Sequence, residues 1–325
     1  MTSALSAINP YASKPSVDPL DKMEQGRMKG EIEVSVGGSA PIVDIIRNIA
    51  AIPMKLLLWN RNMRSGNVSP EVIEDARQYL HANGLHDVYL SVNEYRPGKI
   101  WDRIFSNPNT STLSKCTVGV ANGLRYTFMP DRLMGGDQYD PTSNTVQLFS
   151  NDSSVALHEC GHAKDFNSRE NPILYGLSKN LPYVGAPTLL YQEYTATDNA
   201  IKYAKEEGMT EKVKNAYKVL VPAFSTYVAA TVLPEVPSVA SCFKDSTFSE
   251  ATQCVEEGIP AKAATIFFAT IGIVIAGHII GHALAKDEPE AEKSTGKAEK
   301  PVVEKPPITI PQDKIPSLPT AAPAA

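Results

Sequence analysis

Between Lys262 and Lys286 the chain runs for 23 residues, Ala263 to Ala285, without a charge. A helix of that length rises roughly 35 Å, more than the roughly 30 Å hydrocarbon core of a bilayer. The lysines at either end mark where such a helix would leave the apolar phase. A transmembrane helix over 263–285 is therefore expected, and the other elements must be arranged around it. Gly272, Gly277 and Gly281 would let a second helix approach closely. His278 and His282 stand one turn apart with no glutamate between them, so they read as helix-packing residues.

The second constraint is His158-Glu-Cys-Gly-His162. On a helix, positions i and i+4 share a face, so both imidazoles can reach one Zn²⁺ while Glu159 holds the attacking water. The flanks predict that helix. Thr145-Val-Gln-Leu-Phe-Ser150 alternates and is rich in β formers, so it reads as a strand. Asn151-Asp-Ser-Ser154 supplies capping residues, and an apolar helix follows to about Phe166.

A catalytic zinc site usually has three protein ligands and one open position. No histidine follows the motif at the short x-x-G-x-x-H spacing. Glu193 is the candidate third ligand, on a second predicted helix running on through Ala204. Ala196, one turn later, leaves room for close helix packing. Asp165 shares the face of His162, and its reading is an orienting carboxylate or a plain helix-end carboxylate. Asp198 stands five residues after Glu193, about 140° round the helix, so Thr197 or Asp165 is better placed to orient an imidazole. Tyr183, Tyr191 and Tyr194 are candidate donors to an oxyanion. Cys160 points away from the metal face and reads as a buried thiol.

His158-Glu-Cys-Gly-His-Ala-Lys-Asp165 followed by Glu193-Tyr-Thr-Ala196 resembles the gluzincin branch of zinc metallopeptidases. Its pattern is similar to that of the lethal-factor-like and MtfA-like gluzincins and of the HtpX-like membrane peptidases. The resemblance covers these two motifs and the strand before them. It implies that His158, His162 and Glu193 bind Zn²⁺ and that Glu159 is the catalytic base in peptide-bond hydrolysis. It also implies an α+β, zincin-like lobe with a protein or peptide substrate.

The net charge of −5 gives no reason to expect nucleic acid as a partner. The cysteines (Cys116, Cys160, Cys242 and Cys254) form no C-x-x-C pair; Cys242 and Cys254 could be bonded or free. Residues 1–38 are polar with scattered proline and glycine and are expected to lack fixed structure. The catalytic domain is expected over 39–210 and a membrane-associated region over 211–285, with 219–240 as a possible second span. The Lys/Glu/Pro-rich segment 286–325 is expected to be a disordered tail. Within the domain, Ile42 to Trp59 reads as a core helix divided at Pro53, with an in-plane membrane helix as the alternative. A further helix is predicted over 71–82, and strands over 88–92, 124–128 and 146–149. The segment from Asn171 to Leu190 could form a lid. If 219–240 spans, lysines 202, 205, 212, 214 and 218 favour a cytoplasmic catalytic domain. Two function classes follow: a membrane-anchored zinc endopeptidase, or a membrane-tethered interaction protein whose zinc site is not hydrolytic.

Overall fold

Four short strands form one sheet: β1 (Glu33–Val36), β2 (Tyr89–Val92), β3 (Gln138–Asp140) and β4 (Thr145–Leu148). They lie in the order β1-β2-β4-β3. The first three in that order are parallel, with Glu33 opposite Tyr89 and Tyr89 opposite Thr145. β3 runs antiparallel at the edge, pairing Tyr139 with Val146. Every residue of β2 and β4 is buried, as expected of strands covered on both faces. The computed structural model describes residues 31–38, 40–129, 131–133, 136–180, 184–233 and 259–289, with side chains in the last stretch from 265. Tyr183, Cys242, Cys254, residues 234–240 of the possible second span, most of the N-terminal segment and most of the tail lie outside the described residues. β1 nevertheless falls within 1–38, where no fixed structure is expected; its pairing with β2 orders it.

The helices are α1 (Pro41–Ala50), α2 (Ile52–Leu57), α3 (Pro70–Ala82), α4 (Pro97–Ser106), α5 (Val120–Phe128), α6 (Ser153–Asn167), α7 (Pro172–Ser178), α8 (Gly185–Glu206), α9 (Thr210–Val232) and α10 (Ile259–Asp287). The protein is thus mixed α+β. Ser69 caps α3, and the chain turns away at Gly84, which holds a left-handed φ of 68°. The core joins α3, β2, β4 and α6 through Tyr79, Leu80, Leu90, Val146, Leu148 and Leu157.

Three expectations change. Leu124–Phe128 belongs to a helix, not a strand. Gly123 and Tyr126 face inward while Leu124 and Phe128 are exposed. Over five residues the two periodicities overlap, and here the Trp101 ring decides, lying where a Cβ on Gly123 would come within 2.8 Å. The core of the α+β lobe also continues past 210, the end expected for the domain. Val213, Ala216, Val219 and Leu220 of α9 share the core with the sheet.

The third change concerns α1, which is not a core helix. Its isoleucines face outward, Ile42 being 75% and Ile49 61% exposed, whereas Arg47 is fully buried. The guanidinium donates to Asp44 Oδ1 at 2.9 Å and to the Arg132 carbonyl at 3.2 Å, and it lies 5.4 Å from the Phe149 ring centre. The polar side of α1 is therefore its contact with the protein. Ala51 and Pro53 divide α1 from α2, as the proline predicts.

Among the described residues one helix, over 265–287, is long and apolar enough to cross a membrane, with a mean hydropathy of 1.9. It packs along α9. A Cβ on Gly277 would lie 2.0 Å from Ser225 Oγ, and one on Gly281 2.4 Å from the Tyr217 carbonyl, so both glycines hold the helices together. Gly272 faces open space. His278 is buried, as a packing residue should be.

Candidate metal centre

The centre is built on α6. Asp152 caps it, accepting from the Ser154 amide at 2.8 Å. The same carboxylate accepts from Asn60 Nδ2 at 2.8 Å and Asn215 Nδ2 at 3.2 Å, tying the start of α6 to the end of α2 and to α9. α6 then runs between α3 and the sheet on one side and α8 and α9 on the other. Burial on several faces explains why its sequence shows no clean amphipathic stripe.

His158, His162 and Glu193 come together as the sequence predicts. Glu193 Oε2 lies 3.3 Å from His158 Nε2 and 3.6 Å from His162 Nε2. The three ligand atoms all lie within 4.8 Å of one another. Ligands about 2.0–2.1 Å from a tetrahedral zinc ion are separated by roughly 3.3 Å, so the two short edges match that ion. Glu193 Oε2 is buried, faces both rings and has no hydrogen-bond partner. A buried oxygen facing two imidazole nitrogens fits a divalent cation.

The helix crossing sets these distances. At Gly161 a Cβ would lie 2.4 Å from the Ala196 carbonyl oxygen and 3.1 Å from Ala196 Cα. Ala196 is completely buried. Two small residues thus let α6 and α8 touch backbone to backbone, and Glu193, one turn before Ala196, is brought onto the histidines.

Thr197 Oγ1 lies 3.2 Å from His158 Nδ1. With Nε2 turned to the metal position, Nδ1–H donates to the hydroxyl and fixes the ring. Replacing Thr197 with Val removes that acceptor at nearly constant size and is expected to weaken metal affinity about 10–100-fold, as measured by competition with a chelating dye. Asp165 instead accepts from Tyr175 Oη at 2.6 Å and pairs with Arg169, and Asp198 pairs with Lys202 on the surface. Neither carboxylate orients an imidazole.

Charge on the centre follows from burial and mutual contact. Burial would raise the Glu193 carboxyl, but His158 and His162 hold it far below its usual range, so it is an anion. Burial lowers His158. Burial also acts to lower His162, but Glu193, with smaller help from Glu159 and Asp165, brings its net shift upward. Glu159 is pushed up to about 8, first by burial and then by Asp137 and Glu193, against His162 and the Tyr139 backbone. Cys160 is buried with its Sγ 3.8 Å from the Ala76 carbonyl, and burial pushes its thiol well above the ordinary value.

The centre opens into a cleft of about 280 Å³. Met54 and Leu58 come to it from the α2 side, Gly136 and Asp137 from the approach to β3, and Val219, Phe224 and Tyr227 from α9. The segment 171–190, considered as a lid, contributes no described residue to this lining. Tyr191 and Tyr194 are more than half exposed and are not among the cleft residues. Among the described residues, Tyr227 is the tyrosine that lines the cleft, beside Glu159 and Glu193. The sequence reading missed it because it lies in the uncharged run assigned to the membrane. Its signal was the Ser225-Thr226-Tyr227 run of hydroxyls within an otherwise apolar, uncharged stretch. No family model matches the chain, and no curated protein or solved structure shows significant similarity to it.

Proposed function

We propose that this protein is a membrane-anchored, zinc-dependent endopeptidase of gluzincin type with a zincin-like catalytic lobe. The observation that carries the reading is the convergence of His158, His162 and Glu193 beside a buried Glu159, with His158, Glu159 and Glu193 lining one cleft. A purely structural metal site would have no use for Glu159.

His158 and His162 would hold Zn²⁺ through Nε2, and Glu193 through Oε2. Zinc in such a site supplies Lewis acidity, lowering the pKa of water toward about 7 and polarising a carbonyl. Glu159 accepts a proton from the attacking water and returns it to the leaving amine nitrogen. In the metal-free protein burial pushes this carboxyl up to about 8, so Glu159 holds a proton more tightly than an exposed carboxylate does. Tyr227, which lines the same cleft, would supply a donor for the developing oxyanion.

β3 is an edge strand at the cleft, and the Tyr139 amide interacts with the Glu159 carboxylate. An extended peptide can add to such an edge. Met54, Leu58, Val219 and Phe224 would receive an apolar side chain. Only 22% of the most apolar stretch of α10 is buried, whereas a soluble core helix would be mostly covered. That supports α10 as the anchor. Lys205 of α8 pairs with Glu288, just beyond α10, so the lobe belongs with the C-terminal end of that helix. Lysines 202, 205, 212, 214 and 218 on the lobe support a cytoplasmic orientation.

The test is metal analysis of the purified full-length chain paired with cleavage of an unfolded protein. About one zinc per chain is expected, with cleavage that a chelator abolishes and zinc restores. A chain without zinc ends the metal reading. Zinc without cleavage would favour the tethered interaction protein instead.

A further inference from the structure

We infer that α1 and α2 lie in the plane of the membrane surface, with their isoleucine stripe in lipid, beside the anchoring helix. The inference rests on the reading of α10 as a membrane helix and adds a second, in-plane contact to it.

Ile42, Ile45, Ile46, Ile49, Ile52 and Leu56 of the two helices are exposed, as is Trp59 just after α2; Met54, also exposed, lines the cleft instead. Their spacing keeps them on one side through the break at Ala51. The opposite side is used internally. Arg47 is buried against Asp44 and Arg132, and Asn48 donates to the Asp44 and Ser65 carbonyls at 2.8 and 3.0 Å. An amphipathic helix that turns its polar side to the protein and its apolar side outward needs an apolar medium.

The stripe ends against α10. The Trp59 ring stacks on His278 at 3.9 Å between centroids, tilted by 14°, and lies 6.4 Å from His282. His278 Nε2–H donates to the Leu57 carbonyl at 2.9 Å. Ile279, itself 66% exposed, lines the same groove as Trp59. The stripe therefore continues into the exposed apolar side of α10, and lipid is the occupant that can cover both.

Depth agrees with this. His282 and His278 precede the charged end at Lys286 by four and eight residues, which places Trp59 roughly 6–12 Å inside it. In-plane helices bury their apolar side about 5–10 Å into the bilayer boundary, where tryptophan is enriched. α2 then has lipid on one side and, through Met54 and the following Leu58, the catalytic cleft on the other.

The chain has two tryptophans, Trp59 and Trp101, which makes a direct test possible. Two single-tryptophan proteins are made. Trp101→Phe leaves Trp59 alone, and Trp59→Phe/Trp101→Phe/Ile45→Trp reports from the stripe, with Ile49→Trp as a second reporter should the first fold poorly. Each full-length chain is reconstituted into phosphatidylcholine vesicles with and without acyl chains brominated near the headgroup, after far-ultraviolet circular dichroism and thermal unfolding match those of the wild type. Co-flotation with the vesicles and loss of most emission from both reporters in brominated lipid are expected. Flotation with a bright Ile45→Trp reporter overturns the in-plane contact while leaving the anchor intact. A detergent-purified dimer that Ile45→Asp converts to monomer also overturns it, because the stripe would then face a second copy. Failure to float ends the anchor reading and this one together.

Discussion

Glu159→Gln is expected to retain zinc and to lower kcat on an unfolded protein substrate by about 10²–10⁴-fold, the usual contribution of a positioned general base. The amide has nearly the same shape as the carboxylate and occupies a site that is 8% exposed. It can neither accept a proton nor return one. Metal content should hold because Glu159 is not among the three converging ligands. Activity in this variant close to that of the wild type would remove the mechanism.

The same substitution has a stability signature of known sign. In the unfolded chain the Glu159 carboxyl loses its proton near 4.5, whereas burial keeps it protonated in the folded, metal-free protein up to about 8. Folding therefore takes up a proton between these values, and this group costs the metal-free protein stability as pH rises through that window. Glutamine does not titrate. Metal-free Glu159→Gln should thus gain on the wild type in thermal unfolding as pH rises from about 4.5 to about 8. An equal difference at both ends of the window would mean that burial is not what raises Glu159.

The convergence of His158, His162 and Glu193 was legible because it follows from local geometry. The i, i+4 pair fixes both histidines on one helix face, and Asp152 among the capping residues fixes where that helix starts. Glu193, Ala196 and Thr197 were legible together, since each occupies a place on α8 that a ligand, a helix contact or an orienting group requires. Tyr227 was not legible, because nothing local says that α9 folds back over the cleft. α1 was half legible. Its pattern identifies two faces, but which face meets the protein depends on whether the rest of the fold offers Arg47 its partners, and Arg132 is 85 and Phe149 102 residues away. β1 was hidden for the same reason: four residues become a strand only because β2 presents an edge.

Gly161→Ala separates the geometry of the centre from its chemistry. Every ligand and the base remain, and one methyl group is added where α6 and α8 touch. That Cβ would sit 2.4 Å from a backbone oxygen of Ala196, a contact that no side-chain rotation can relieve. α8 must withdraw by about 1 Å, at an overpacking cost of about 1–3 kcal/mol. Glu193 lies one turn from Ala196 on the same helix, so it withdraws too. Its separations of 3.3 and 3.6 Å from the imidazoles then exceed the edges that one zinc ion can bridge. Zinc affinity, followed by chelator competition, is expected to fall by about 100-fold, at the upper end of what loss of an orienting contact causes. Cleavage should recover in part at saturating zinc, because Glu193 is displaced and not removed. If Gly161→Ala bound zinc as tightly as the wild type, the close crossing of α6 and α8 would not be what assembles the centre.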